Sequence, residues 1–418
     1  MFAVGPTIEP PTGTLQVDVG DTLTFTESAV STFVGQDTTG HLDGTGTSTM
    51  FSTDLQGITF DASGNMYVAD NANHRIRKIS SSGFVTTLAG SGTAGYNENT
   101  GASAQMDSPQ GVVFYNGLVY FADTENQVIR SIDSGGATSK VAGQVGNAGN
   151  KNGNHGSSKF NYPKHMAVDT TNDYIYVFDS GDNKIRKIDF NVAPNNSSFV
   201  TTFVSSGLDG TGGGGMVVDD SGNLYLADTG NHCIKKITSG GSVSVFAGSS
   251  GTSGDVEGSG TAARFDTPSD IAIDEDGYLY VSDEGNNKIK RITPSGVAAT
   301  LVGTGTASTT DGDLFTAEFD TPHTIGYDDD VLYIKQDSNG RIRQMEKPDH
   351  FWVMDPDSAS VSVSFSVDDG ILTIDLSGGG SITAGSNGSD SFTVDGLMDQ
   401  LNRAFATLEY DHDMGFTG

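Results

Sequence analysis

The sequence predicts an all-β protein, a six-bladed β-propeller followed by a small C-terminal β-sandwich-like module. A short Tyr-containing motif closing on aspartate recurs at intervals of about 54 residues, a period in the range of propeller blades. Each copy lies in a unit with four strand-like runs separated by Gly- and Asn-rich turns. The composition agrees: 56 glycines stand beside only 18% charged residues. Val, Ile, Thr, Phe and Tyr recur in short runs, which separates the chain from disordered polypeptide.

The clearest copies are Gly64-Asn65-Met66-Tyr67-Val68-Ala69-Asp70 and Gly222-Asn223-Leu224-Tyr225-Leu226-Ala227-Asp228. Related runs close on Asp123, Asp179 and Asp283, and Val331-Leu332-Tyr333-Ile334-Lys335-Gln336-Asp337 is a degenerate sixth. A strand precedes each copy, as in Gly57-Ile58-Thr59-Phe60-Asp61 or Asp270-Ile271-Ala272-Ile273-Asp274. A third strand alternates apolar and basic residues, as in Arg75-Ile76-Arg77-Lys78-Ile79 and Lys288-Ile289-Lys290-Arg291-Ile292. Side chains alternate faces along a strand, so the isoleucines are expected between blades and the basic residues in solvent. A fourth strand follows, as in Val85-Thr86-Thr87-Leu88-Ala89-Gly90. Four strands per repeat make one blade.

The motif resembles the NHL-repeat proteins, whose blades carry a GNLYVADxGNHRIRKI signature preceded by a loop like DGxGxxAxFxxPxGI. Here that loop reads Glu257-Gly258-Ser259-Gly260-Thr261-Ala262-Ala263-Arg264-Phe265-Asp266-Thr267-Pro268. The resemblance places the propeller at residues 30–347. The run Val30–Gly35 has the character of an outer strand but precedes the first complete blade, while the last blade stops near Glu346 without one. Lending the N-terminal strand to the final blade would close the ring and leave no open sheet edge.

After Pro348 the pattern changes, and residues 348–418 form a second predicted module. Ser360–Val367 alternates with a strand period, Gly370–Leu376 reads as another strand, and Asp395 caps a predicted helix carrying Leu397, Leu401, Ala404, Phe405 and Leu408 on one face. The ending from Leu401 through Leu408-Glu409-Tyr410 to Gly415-Phe416-Thr417-Gly418 resembles the cadherin-like repeats of bacterial and phage surface proteins. Those repeats continue into a strand of the type xDTLTITVxD. Gly20-Asp21-Thr22-Leu23-Thr24-Phe25-Thr26, in the segment 1–29, has that character. It is expected to complete the C-terminal module, within one chain or by strand donation between chains.

Net charge is −31, from 53 acidic and 22 basic residues. Such a surface repels a phosphate backbone and an anionic membrane face, which argues against nucleic-acid partners and membrane insertion. The single cysteine, Cys233, excludes an intrachain disulfide. The first residues show no basic stretch followed by an apolar run, so no signal peptide is expected, and no segment reaches the roughly 18 apolar residues of a membrane helix. A propeller, a cadherin-like ending and an acidic surface together point to a virion appendage or an extracellular surface assembly, with a protein or glycan ligand and self-association through terminal strands.

The aspartates Asp70, Asp123, Asp179, Asp228, Asp283 and Asp337 are followed in most copies by Asn or Asp three residues on. As a ring of carboxylates they suit Ca²⁺. One role repeated in every blade more often belongs to scaffolding, and Asx-turns satisfying their own backbone N–H groups are the expectation. In NHL-type propellers the loops leading into each innermost strand line one mouth of the central channel. The corresponding positions are Gly57, Gly111, His165, Gly215, Asp270 and Thr324, with His323 adjacent. His165, Asp270 and His323 break the repeat, and with Thr324 they form the candidate ligand- or metal-binding set, weighed against ordinary solvated loop side chains.

Two enzyme families resemble these propellers. Amidating lyases need several histidines for zinc, and sugar lactonases need an acidic calcium site in the channel. The eight histidines lack paired metal-ligand spacing, and among the channel-mouth positions only Asp270 hints at a lactonase site. The resulting expectation is a non-enzymatic binding protein, with a metal-dependent lyase or lactonohydrolase as the competing class.

Overall fold

A computed structural model describes residues 29–208 and 213–347, together with strand backbone at Thr7–Glu9, Thr22–Thr24, Trp352–Met354, Val361–Ser366, Ile371–Thr373, Ser381–Ala384, Ser391–Gly396 and Glu409–Asp411. The chain divides into two compact units, one formed by Val30–Gly312 with Thr316–Met345, the other by Met1–Ala29, Asp313–Phe315 and Glu346–Gly418.

The first unit is the six-bladed propeller. Its innermost strands are Leu55–Phe60, Pro109–Tyr115, Pro163–Asp169, Gly213–Val218, Pro268–Ile273 and Pro322–Asp328. Each begins a sheet that proceeds outward through three further strands, with a short fifth strand added at the edge of the first, fifth and sixth blades. In the sixth blade the fourth strand is Ala29–Gln36, antiparallel to Gly340–Glu346 with Val34 opposite Ile342 and Thr32 opposite Arg343. The N-terminal strand therefore closes the ring, as its early position suggested.

Apolar side chains pack in the layers between neighbouring blades. One cluster joins Tyr67, Ala69 and Ile76 of the first blade to Val112, Val119 and Phe121 of the second. Another joins Val177 and Ile188 of the third to Val113 and Ile129 of the second. Because a blade is covered on both faces, alternation along its strands does not divide core from water. The expectation that the third-strand basic residues reach solvent holds only in part for this reason: Arg75, Lys78, Lys187 and Arg291 are partly exposed, whereas Arg77, Arg130, Arg186, Lys290 and Arg343 are fully buried.

In each of the first five blades a buried cation stands seven residues after the blade aspartate and pairs with it. The ion pairs are Asp70–Arg77 (2.9 Å), Asp123–Arg130 (2.8 Å), Asp179–Arg186 (3.0 Å), Asp228–Lys235 (3.7 Å) and Asp283–Lys290 (3.2 Å). Hairpin register explains the interval. Asp70 lies opposite Arg75 and Val68 opposite Arg77, so Asp70 and Arg77 are diagonal neighbours on one face, within reach of a long side chain. The other carboxylate oxygen accepts a backbone N–H from the preceding loop: Ser52 to Asp70 (3.1 Å), Asp107 to Asp123 (2.7 Å), Asn161 to Asp179 (2.6 Å) and Asp266 to Asp283 (2.7 Å).

These aspartates thus pin the incoming loop to the third strand. The Asx-turns fall instead on aspartates closing the innermost strands. Asp61 accepts from the N–H groups of Ser63 and Asn65, and Asp219 from those of Ser221 and Asn223. In the sixth blade, register places Gln336, not Asp337, opposite the first residue of the innermost strand, Pro322. Gln336 accepts from Arg343 (3.1 Å), whose charge is met by Asp311 (2.8 Å). Asp337 stands one residue outside the series.

Four of the blade aspartates accept a hydrogen bond from the amide of an asparagine three residues on: Asn73, Asn126, Asn231 and Asn286. The third blade has Asp182 there, and its Oδ2 is buried without a hydrogen-bond partner. Burial, with the charge of Asp182 adding to it, pushes Asp179 up to about 7. A carboxyl raised in the folded state favours folding while it is protonated, and that contribution is lost as pH rises through about 7. Asp182→Asn is therefore expected to stabilise the protein by about 1–2 kcal/mol at pH 8 and by less at pH 5. Urea unfolding at the two pH values measures both quantities.

Among its described residues the second unit contains three small antiparallel sheets. Thr7–Glu9 pairs with Trp352–Met354. Thr22–Thr24 pairs with Glu409–Asp411, which also pairs with Ile371–Thr373. Ser391–Gly396 lies between Val361–Ser366 and Ser381–Ala384. Asp395, expected as a helix cap, is in the strand Ser391–Gly396. The predicted helical face from Leu397 to Leu408 lies outside the described residues.

Candidate binding site in the central channel

The six innermost strands wall a channel with a cavity of about 400 Å³. Each blade contributes a run of residues, among them Gly57–Phe60, Gly111–Phe114, His165–Val168, Gly215–Val218 and Asp270–Ile273. Every innermost strand carries an irregularity near its start, between Gln56 and Ile58 in the first blade and between Pro268 and Asp270 in the fifth. A bulge re-aims the side chains beside it, and here it brings the loop-to-strand junction onto the channel wall.

Register supports the equivalence of Gly57, Gly111, His165, Gly215, Asp270 and Thr324. Each precedes the residue paired in mid-strand: Ile58, Val112, Met166, Met216, Ile271 and Ile325. His165 and Asp270 therefore line the channel together, whereas Thr324 does not. Thr324 is buried and donates its hydroxyl to the Leu55 carbonyl (3.3 Å), across the seam between the last and first blades. His323 lies one position earlier and away from the channel lining.

Asp270 is held by its surroundings. Its Oδ1 accepts from the Ile271 N–H (2.9 Å) and its Oδ2 from the Ile325 N–H of the next blade (3.1 Å). Loss of hydration pushes its carboxyl up to about 6, although the two N–H donors and nearby His323 act in the opposite direction. A Cβ on Gly215 would lie 1.4 Å from Asp270 Oδ1. The fourth blade thus needs glycine where the fifth inserts a carboxylate. Asp328 and Tyr327 also line the channel. The Tyr327 hydroxyl lies 2.8 Å from a Glu275 carboxylate oxygen and 3.0 Å from one of Asp330, either of which can accept its one proton, and burial, then the charges of Asp329 and Asp61, raises the Asp328 pKa.

His323 has a different setting. Its Nδ1 is 3.1 Å from Glu284 Oε2 and 3.6 Å from Asp337 Oδ2, and its Nε2 is 3.2 Å from Gln56 Oε1. Neither Glu284 nor Gln56 was singled out from the sequence. A signal for Glu284 was available: it directly follows a blade aspartate, where the first four blades carry Asn71, Thr124, Ser180 and Thr229. Asp337 follows Gln336 at the same register. The fifth and sixth blades alone are acidic at this position.

This arrangement defines the class of the domain, a closed all-β propeller whose innermost strands form a narrow channel. Its residues 94–293 match the family model described as the Teneurin NHL domain. NHL repeat-containing protein 2 of Bos taurus is 26% identical over 334 residues, covering 69% of this chain and 46% of the relative. Protein SUPPRESSOR OF QUENCHING 1, chloroplastic, of Arabidopsis thaliana is 29% identical over 259 residues, covering 57% of this chain and 24% of the relative. The matched region thus spans less than half of either relative. A solved auxiliary nutrient binding protein from Bacteroides ovatus superposes with a TM-score of 0.61 at 18% identity, covering 77% of this chain and 76% of that one, which supports the fold. Together these matches support an NHL-repeat β-propeller. No helix among the described residues is long and apolar enough to cross a membrane.

Proposed function

We propose that the propeller is a non-enzymatic binding disc of an extracellular surface or virion assembly, taking a protein or glycan ligand in its central channel. The observation that carries this is the composition of the channel wall. Aliphatic side chains and exposed backbone from all six innermost strands surround a few polar groups, His165, Asp270, Tyr327 and Asp328. Although aliphatic residues line the wall, the surface it exposes is somewhat more polar than apolar, and a concave site with a few convergent polar groups suits ligand recognition. Asp270 already accepts two backbone N–H groups, which fixes its direction and suits recognition.

In this reading segments 1–29 and 348–418 form a separate adhesin-like module that tethers or multimerises the protein. The pairing of Thr22–Thr24 with Glu409–Asp411 supports the N-terminal strand as its completing element. The solved protein of similar fold described as an auxiliary nutrient binding protein is compatible with a binding role.

The test is binding of the full chain to glycan and peptide panels, with His165→Ala and Asp270→Asn run alongside. A ligand specific to the channel should lose at least tenfold in affinity with Asp270→Asn, with circular dichroism checking that the variant is folded although it gives up one of the two N–H acceptors. Equal binding by all three proteins would place recognition elsewhere.

A further inference from the structure

We infer that Glu284, His323 and Asp337 form a site for a single divalent transition ion, of which Zn²⁺ is the best match, at the seam of the fifth, sixth and first blades. One imidazole nitrogen and two carboxylate oxygens lie within 4.8 Å of one another. All three residues are half-buried, which leaves room for water or an exchangeable ligand in the remaining coordination positions. The site is separate from the channel lining and does not depend on a ligand binding there.

The hydrogen bonds orient the imidazole so that Nδ1 faces the two carboxylates and Nε2 faces the Gln56 oxygen. Gln56 donates its amide to Asp54 Oδ1 (2.6 Å), so its oxygen faces His323 Nε2 at 3.2 Å. An amide oxygen accepts, so Nε2 carries the proton in neutral imidazole. The Nδ1 lone pair then points at Glu284 Oε2 (3.1 Å) and Asp337 Oδ2 (3.6 Å). With Nδ1 unprotonated these three atoms repel one another, and either a proton on Nδ1 or a metal ion among them relieves the repulsion. A ligating histidine that donates its second ring N–H to an oriented oxygen is the usual outer arrangement of a metal site.

Lys335 belongs to the same setting. Its ammonium contacts the Thr53 carbonyl and holds Asp337 Oδ1 at 2.5 Å. This contact uses the carboxylate oxygen remote from Nδ1 and leaves Oδ2 directed at the histidine. Mixed nitrogen and carboxylate donors favour Zn²⁺ over Ca²⁺, which takes oxygen ligands.

The departures from the repeat converge here. The position after the blade aspartate has a neutral side chain in the first four blades and becomes Glu284 and Asp337 in the last two. In two of the neutral cases, Thr124 and Thr229, the hydroxyl donates to a proline carbonyl of the following blade (both 2.8 Å). The fifth and sixth blades replace that clasp with carboxylates flanking a histidine. A bound ion would restore the inter-blade tie and give one sector of the ring a property the other sectors lack.

The test is titration of the full chain, freed of metal with a chelator, using Zn²⁺ followed by calorimetry, and Co²⁺ followed by its visible absorption. One strong site per chain is expected. It should be lost in His323→Ala, weakened at least tenfold in Glu284→Gln and Asp337→Asn, and weakened roughly 10–100-fold in Gln56→Ala through loss of the orienting acceptor. His74→Gln, which removes a surface histidine near Asp107, should leave it unchanged. Circular dichroism checks that each variant is folded, and the volume-conserving Glu284→Gln keeps the test valid if His323→Ala is not. Unchanged stoichiometry and affinity in folded Glu284→Gln and Asp337→Asn would overturn the inference. So would an absence of strong binding in the parent protein, in which case the cluster shares a proton instead of an ion.

Discussion

Replacing Arg130 by methionine is expected to lower the unfolding free energy by about 3–5 kcal/mol, the usual cost of removing one partner from a buried ion pair. The guanidinium joins four parts of its blade. It donates to Asp123 (2.8 Å), to the carbonyls of Gln105 (2.6 Å) and Asn97 (3.0 Å), and to the Thr138 hydroxyl (2.9 Å). It also stacks over Tyr96, 4.7 Å from the ring centre. Methionine preserves much of the stem volume, so the loss reports charge and hydrogen bonding. Asp123 would remain buried with Asn126 and one backbone N–H as partners.

Adding Asp123→Asn to that variant should recover part of the loss, because the uncompensated charge disappears. Arg341 supplies the contrast: its 2.6 Å bond to Asp37 involves a carboxylate that is 63% exposed. Arg341→Met should therefore cost no more than about 1 kcal/mol. Urea unfolding of the four proteins measures these differences. A loss below about 1 kcal/mol for Arg130→Met would mean that these buried pairs do not hold the loops to the blades.

The second large effect is expected at the channel wall, where Gly111→Ala should cost roughly 3 kcal/mol, at the upper end of overpacking penalties. A Cβ there would lie 2.3 Å from the Lys164 carbonyl oxygen and 2.8 Å from the Met166 N–H nitrogen of the next blade. These are backbone atoms of an adjoining innermost strand, so relief requires two blades to move apart. Gly117 provides the comparison. Its φ is +78° but a Cβ would meet nothing within 4 Å, so Gly117→Ala should cost only about 1 kcal/mol of conformational strain. Thermal unfolding ranks the two, and equal losses would contradict close approach as the reason for glycine at 111.

The sequence carried the architecture because each blade repeats the same hairpin chemistry. Turn residues such as Ser63-Gly64-Asn65 and the closing aspartates mark the strand boundaries, and the unmatched run at Val30–Gly35 implied the ring closure later seen opposite Gly340–Gln344. The fate of the basic residues was less legible. Alternation in Arg75–Ile79 looks like a half-exposed strand, yet neighbouring blades cover both faces, and Arg77 is enclosed with its partner Asp70.

The sixth blade was misaligned by one residue for a related reason. Aspartate marks this position in the other blades, whereas hydrogen-bond register puts Gln336 there and frees Asp337 to face His323. His165 and Asp270 were accessible from the sequence because they interrupt a run of glycines. Gln56 and Glu284 come from other blades, and only the closed ring brings them to His323.

The direct measurement of the hub's role is mass spectrometry of ligand recovered from the channel. Panel compounds retained by the full chain but not by Asp270→Asn would be incubated at saturation, eluted and weighed. A mass identical to that applied is the outcome expected of a binding disc. A ligand recovered cleaved, hydrated or shortened, with conversion abolished by Asp270→Asn, would contradict it.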